Sequence, residues 1–136
     1  MHHKDGCAGF GLMDVLIALA IVAILATLAY PDYREYVARG RRMDAVTTLL
    51  RVQVAQEQWR ANHSEYAALA DLDWIGELSV DGYYRLRLSR QSAAGFLALA
   101  EPRTGGPQQD DACGVFAIDQ RGPVHEGYAA AACWRR

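Results

Sequence analysis

The sequence predicts an α+β chain in which a long, kinked N-terminal helix packs on a small antiparallel β-sheet. Three observations lead there. Residues 10–30 are apolar all round and carry one formal charge, Asp14, and so meet the roughly 20-residue requirement for a helix crossing hydrocarbon. Beyond them, apolar residues recur every three or four positions, as on one helix face. After Asp81–Gly82 the period changes to two, with Tyr84, Leu86 and Leu88 alternating with Arg85, Arg87 and Ser89, the pattern of a half-buried strand.

The first element reads as one helix from Phe10 to about Ala61 with local interruptions. Pro31 removes an internal backbone hydrogen bond and is expected to kink it; Gly40 is a second soft point. In the later half, Met43, Val46, Leu50 and Val54 share one face, while Arg41, Arg42, Asp44, Arg51, Glu57 and Arg60 alternate in sign around the others. The segment HSEYAALADLDW predicts a loop and a short irregular helix. Gly95 to Ala100 supplies a second strand that Pro102 ends, TGGPQQDD is a turn or exposed loop, and GVFAIDQRG is a strand entering a turn. The final cysteine-containing segment is expected to return across the same sheet. Such a sheet needs the amphipathic half of the helix to cover its apolar face.

The 136 residues suffice for one small domain plus one extended element, and 51% hydrophobic content hides an uneven distribution. The apolar run exceeds the core of a cleaved signal peptide, and no small-x-small site follows it, so a retained membrane anchor is expected. Lys4 precedes the run and Asp5 offsets it, while Arg34, Arg39, Arg41 and Arg42 follow; charge bias therefore leaves the orientation open. The formal net charge of -2 gives no general case for nucleic-acid binding.

Three cysteines divide unevenly. Cys7 precedes the apolar run, and Cys113 and Cys133 lie near the C-terminus. In an exported chain that last pair would form a disulfide, with a loop-entropy contribution of about 3 kcal/mol. Two buried free thiols are the alternative, and the absence of a Cys-x-x-Cys partner argues against zinc. Asn62-His63-Ser64 matches a glycosylation acceptor only formally.

The opening segment, Pro31–Asp32–Tyr33 and the Cys113/Cys133 pair are together similar to a type IV prepilin. More narrowly, DDACGVFAIDQRG with the terminal CW resembles minor pilins of the PilE and ComP type. The resemblance implies the type IV pilin fold, a leader at residues 1–9, a transmembrane and assembly helix at 10–30, its amphipathic continuation at 31–61, and a sheet-bearing head at 62–136 with a disulfide-bounded end. Prepilins are cut after a glycine and methylated on the exposed phenylalanine, which implies Gly9 and Phe10. Asp14 then occupies the position usually held by glutamate, Pro31 that of the helix-interrupting proline, and Cys113 and Cys133 match the family's pair. Cys7–Ala8 replaces the basic residue usual before the cut, and the aliphatic residue expected before a lipoprotein cysteine is missing.

An ionised carboxylate in lipid is costly unless paired. Cleavage after Gly9 would create a positive N-terminus near Asp14, in the same or a neighbouring subunit, and the resemblance favours the neighbour. The alternative is a carboxylate that snorkels to water or meets another membrane protein. The expected partners are other pilins in a helical filament, the prepilin peptidase and N-methyltransferase, and the inner-membrane assembly machinery. The chain is expected in the bacterial inner membrane with its head in the periplasm, then in the pilus at the cell surface.

No enzyme, cofactor, metal site or small-molecule substrate is expected. His2 and His3 fall in the leader, His63 and His125 lack ligand or catalytic spacing, and Asp110 and Asp111 read as a solvated loop. The principal expectation is a minor pilin supporting assembly and pilus-dependent motility, adhesion or DNA uptake. ComP-type relatives include DNA receptors, so a second expectation is a DNA contact through Tyr83, Arg85, Arg87, Arg103 and Arg121, with Arg135 and Arg136 as further cations. Cations would meet phosphate and an exposed tyrosine would stack on a base. Use in a type II secretion pseudopilus is the third.

Overall fold

The computed structural model describes residues 9–135; the expected leader before Gly9, including Cys7, and Arg136 lie outside the described residues. One helix, α1, runs Leu12–Arg60. It starts two residues later than the sequence predicts because Asp14 turns back on the chain. The Gly11 N–H donates to Asp14 Oδ2 at 3.0 Å, and the Gly11 carbonyl accepts from the Asp14 N–H at 3.0 Å. This is one half of a capping box, with a carboxylate in the first turn also favoured by the helix dipole. Pro31 and Gly40 both lie within the helix. Proline removes only its own donor, and the turns on either side continue.

The described chain falls into two compact units, the first ending at Tyr36 and the second beginning at Val37. In the first, the apolar side chains from Leu12 to Leu28 are exposed, and the segment is long and apolar enough to cross a membrane. That composition suits a membrane anchor.

The second unit holds the sheet. A short 3-10 turn at Leu69–Asp71 follows α1, as HSEYAALADLDW predicts. Then come β1 (Tyr84–Gln91), β2 (Phe96–Pro102), β3 (Phe116–Asp119) and β4 (Gly122–Val124). They pair antiparallel in sequence order, so the molecule is α+β with the type IV pilin arrangement of helix and sheet. The β3–β4 turn is tight. Asp119 Oδ1 accepts from the backbone N–H of Arg121 (2.7 Å) and Gly122 (3.1 Å), and Gly122 has φ +128°, which glycine adopts readily. The cysteine-bearing end does not return as a strand. Cys133 lies in a second 3-10 turn, Ala131–Trp134, and β4 occupies the place expected for it. Cys113 and Cys133 are disulfide-bonded with Cα atoms 5.9 Å apart.

The helix face that covers the sheet matches the predicted one only in part: Val46 packs against the core. Ala45, Leu49 and Val52 are buried against Tyr84, Leu86, Phe96, Ala98, Ala100, Phe116 and Ile118. Leu50 and Val54, expected in the core, are 44% and 54% exposed. Arg42 and Asp44, expected on wet faces, are buried. Two facts explain the rotation. Alanine at 45 lets the helix approach the sheet closely, and the buried polar side chains on the helix, Arg42, Asp44, Thr48 and Gln56, each have a partner, as burial demands. Gln56 exchanges hydrogen bonds with the Ala67 backbone, both at 2.8 Å. Arg42 forms a bidentate pair with Asp111 at 2.9 and 2.6 Å, which takes Asp111 out of the solvated loop the sequence suggests.

Candidate nucleic-acid interface

Period-two alternation puts Tyr84, Leu86 and Leu88 on the covered face of β1 and Arg85 and Arg87 on the other, while Tyr83, just before the strand, packs partly against the core. Arg85 and Arg87 are exposed. Register adds β2 to this outer face: Arg85 stands opposite Glu101 and Arg87 opposite Leu99. One step further, the Arg103 N–H donates to the Tyr83 carbonyl at 3.0 Å, so these two residues also face each other. Tyr83, Arg85, Arg87 and Arg103 are thereby gathered at one end of the β1–β2 pair.

Local structure fixes each of them differently. The segment before β1 is hung on α1 by Asp44, whose Oδ2 accepts from Ser79 Oγ at 2.5 Å and from the Tyr83 N–H at 3.3 Å. Its Oδ1 accepts from the Asp81 N–H at 2.9 Å. The Arg41 guanidinium lies 5.4 Å from the centre of the Tyr83 ring, within cation–π range, so this tyrosine is partly covered. Arg103 Nη1 donates to the Gly82 carbonyl at 3.0 Å. Arg87 forms an ion pair with Glu101. The Arg85 side chain has no ion-pair partner among the described residues.

Arg121 does not join this group. It sits on the β3–β4 turn, 84% exposed and paired with Asp119 at 3.2 Å. Asp119 stands opposite Leu97, which stands opposite Arg90, five positions along β1 from Arg85. At about 3.3 Å per residue that is on the order of 16 Å. Glu101 and Arg41 belong to the cluster although sequence reasoning did not single them out for it; both depend on a register or packing relation that no local pattern encodes.

The other sites stand apart. Gly9 and Phe10 precede the helix in an exposed segment, with Phe10 93% exposed. The His63 ring stacks on Trp59 at 3.8 Å, and His125 Nδ1 lies 3.0 Å from the Ala129 carbonyl. No group of His, Cys, Asp and Glu suited to a metal occurs among the described residues.

Comparison with known proteins follows the same division. A family described as type IV minor pilin ComP, DNA uptake sequence receptor, matches residues 31–117, more than half of the chain. The chain belongs to this family. The matched span starts at Pro31, so membership rests on the head and its supporting helix, not on the Gly9–Phe10 motif. This pilin is also 36% identical over 58 residues to a fimbrial protein of Neisseria meningitidis, covering 43% of the chain and 34% of that protein. It is 32% identical over 63 residues to the type IV major pilin protein PilA of Myxococcus xanthus, covering 46% and 29%. With the type IV major fimbrial protein FimA of Dichelobacter nodosus the identity is 29% over 86 residues, covering 63% and 54%. The matches thus span only part of each relative's length.

Proposed function

We propose that this chain is a minor subunit of a type IV pilus whose head engages duplex DNA. The observation that carries the DNA reading is the gathering of Arg85, Arg87 and Arg103, with Tyr83 beside them, at one end of the β1–β2 pair, in a head matching a family described as a DNA uptake sequence receptor. A net charge of -2 offers no global attraction, so the local cluster must supply it. Each guanidinium that meets a phosphate releases condensed counterions, which makes affinity fall steeply with salt. Since Arg41 covers the Tyr83 ring, phosphate contact rather than base stacking is the primary interaction.

The same reading gives the N-terminal unit its role. The prepilin peptidase cuts after Gly9, Phe10 is methylated, and the apolar helix holds the subunit in the inner membrane with its head in the periplasm. The assembly machinery then transfers it among the helices of other pilins and out to the cell surface. The role is structural and DNA-binding, with no catalytic step and no small-molecule substrate.

The test uses the full chain in detergent and a fluorescein-labelled duplex read by anisotropy. Arg85→Ala and Arg103→Ala are expected to weaken binding and flatten its salt dependence, while Arg121→Ala leaves both near wild type. Absence of binding at low salt would remove DNA from the reading and leave a structural subunit.

A further inference from the structure

Glu101 is an acid placed among cations. It lies on β2 directly across from Arg85, and its carboxylate pairs with Arg87, the neighbour two positions on along the same face of β1. The Arg87 side chain is 61% exposed and Glu101 31%, so both reach solvent at the surface where phosphates would arrive. A surface ion pair of this kind contributes little to stability, typically ~0–1 kcal/mol, and the strand pairing around it is already supplied by backbone hydrogen bonds. Its larger effect is electrostatic. A carboxylate paired with Arg87 and standing in register opposite Arg85 acts as a tethered counterion that a phosphate must displace.

We propose that Glu101 is a built-in competitor for the DNA backbone, holding the affinity of this face below what its arginines would give alone. The proposal rests on the DNA reading above and deepens it by naming a residue that tunes it. With Glu101 neutralised, one further cation becomes available to phosphate. For duplex DNA each added phosphate contact steepens the dependence of log K on log salt by about 0.9, which amounts to about an eightfold gain in affinity at about 0.1 M salt relative to a common 1 M reference.

The experiment compares wild type, Glu101→Gln and Glu126→Gln as full chains in detergent, titrated with the labelled duplex between about 50 and 200 mM salt. Glutamine keeps the size of Glu101, and unchanged thermal melting shows that the sheet is intact. Glu126 is exposed and follows β4, at the opposite edge of the sheet from β1, so its variant makes the same change in net charge away from the cluster. The expected result is tighter binding and a steeper salt slope for Glu101→Gln alone. Binding by Glu101→Gln where wild type binds nothing measurable supports the competitor in its strongest form. Equal affinity and slope for wild type and Glu101→Gln, or an equal gain from Glu126→Gln, overturns it while leaving DNA binding in place. No binding by any of the three at low salt overturns both readings together.

Discussion

Asp44 shows how much of this head depends on one carboxylate. It is 5% exposed and accepts from Ser79 Oγ, the Asp81 N–H and the Tyr83 N–H; Ser79 Oγ in turn accepts from the Tyr84 N–H at 2.9 Å. Asp44→Ala would strand these donors, and unsatisfied buried donors cost about 1–3 kcal/mol each when water cannot reach them. We expect a loss of about 3 kcal/mol in urea unfolding, with faster amide exchange confined first to the segment before β1. Asp44→Asn, which keeps one carbonyl acceptor, should lose less. Tyr84 gives a pH dependence. Burial pushes its phenol above the ordinary value, with the hydrogen bond from Gln108 at 3.2 Å and the Arg42 charge opposing the rise. A raised folded pKa favours the neutral form, so its stabilising contribution is complete below about pH 10. That contribution is lost as pH climbs through the folded value. Melting temperature should therefore fall in alkali, and fall less steeply in Tyr84→Phe.

Within α1, the buried and the predicted faces can be set against each other. Leu49→Ala removes a fully buried side chain from the main core and is expected to cost about 2–5 kcal/mol, whereas exposed Leu50→Ala should change stability by less than about 0.5 kcal/mol. Equal effects in chemical denaturation would return the helix to the face its apolar spacing suggests. That spacing misled for a physical reason. Ala45, Leu49 and Val52 repeat at helical spacing just beside Val46, Leu50 and Val54, so spacing alone does not choose between the two faces. Val46 does pack against the core, and the buried face also takes in Arg42 and Asp44, whose partners lie far along the chain. The strands were legible because period two is local: Tyr84, Leu86 and Leu88 are covered as their alternation requires. The same alternation delivered Arg85 and Arg87 to one face, but excluding Arg121 from their group, or finding Glu101 opposite them, requires strand order and register. Asp44, Arg42 and Gln56 could not be read as buried, because a polar residue is sheltered only by partners the sequence does not place nearby.

At the scale of the whole molecule, the two units are held together as folds by different means. The head has its own core and the Cys113–Cys133 disulfide, a crosslink across 20 positions that is expected to stabilise it by about 3 kcal/mol; Cys113→Ser with Cys133→Ser should lower the urea midpoint accordingly. The N-terminal unit buries none of its apolar window within the chain and must find its surroundings in lipid or in other subunits. There Asp14 is the informative residue. In the uncut chain its carboxylate is not bare, because Gly11 N–H already donates to it. Cleavage after Gly9 would add a positive amine on Phe10, next to Gly11, giving this carboxylate a charged partner in its own or a neighbouring chain. A cap contributes typically about 1 kcal/mol to the helix start, whereas an unpaired charge in hydrocarbon is costly. Asp14→Ala removes both the cap and the charge, so insertion into the membrane should persist while register among packed helices is lost. Quantifying the subunit in the membrane fraction and in sheared filaments separates the two. We expect unchanged membrane levels with reduced incorporation. Asp14→Asn, which retains an acceptor for Gly11 without the charge, distinguishes the contributions further. Recovery of wild-type incorporation would assign Asp14 to helix capping alone, and continued failure would assign it to pairing with the amine.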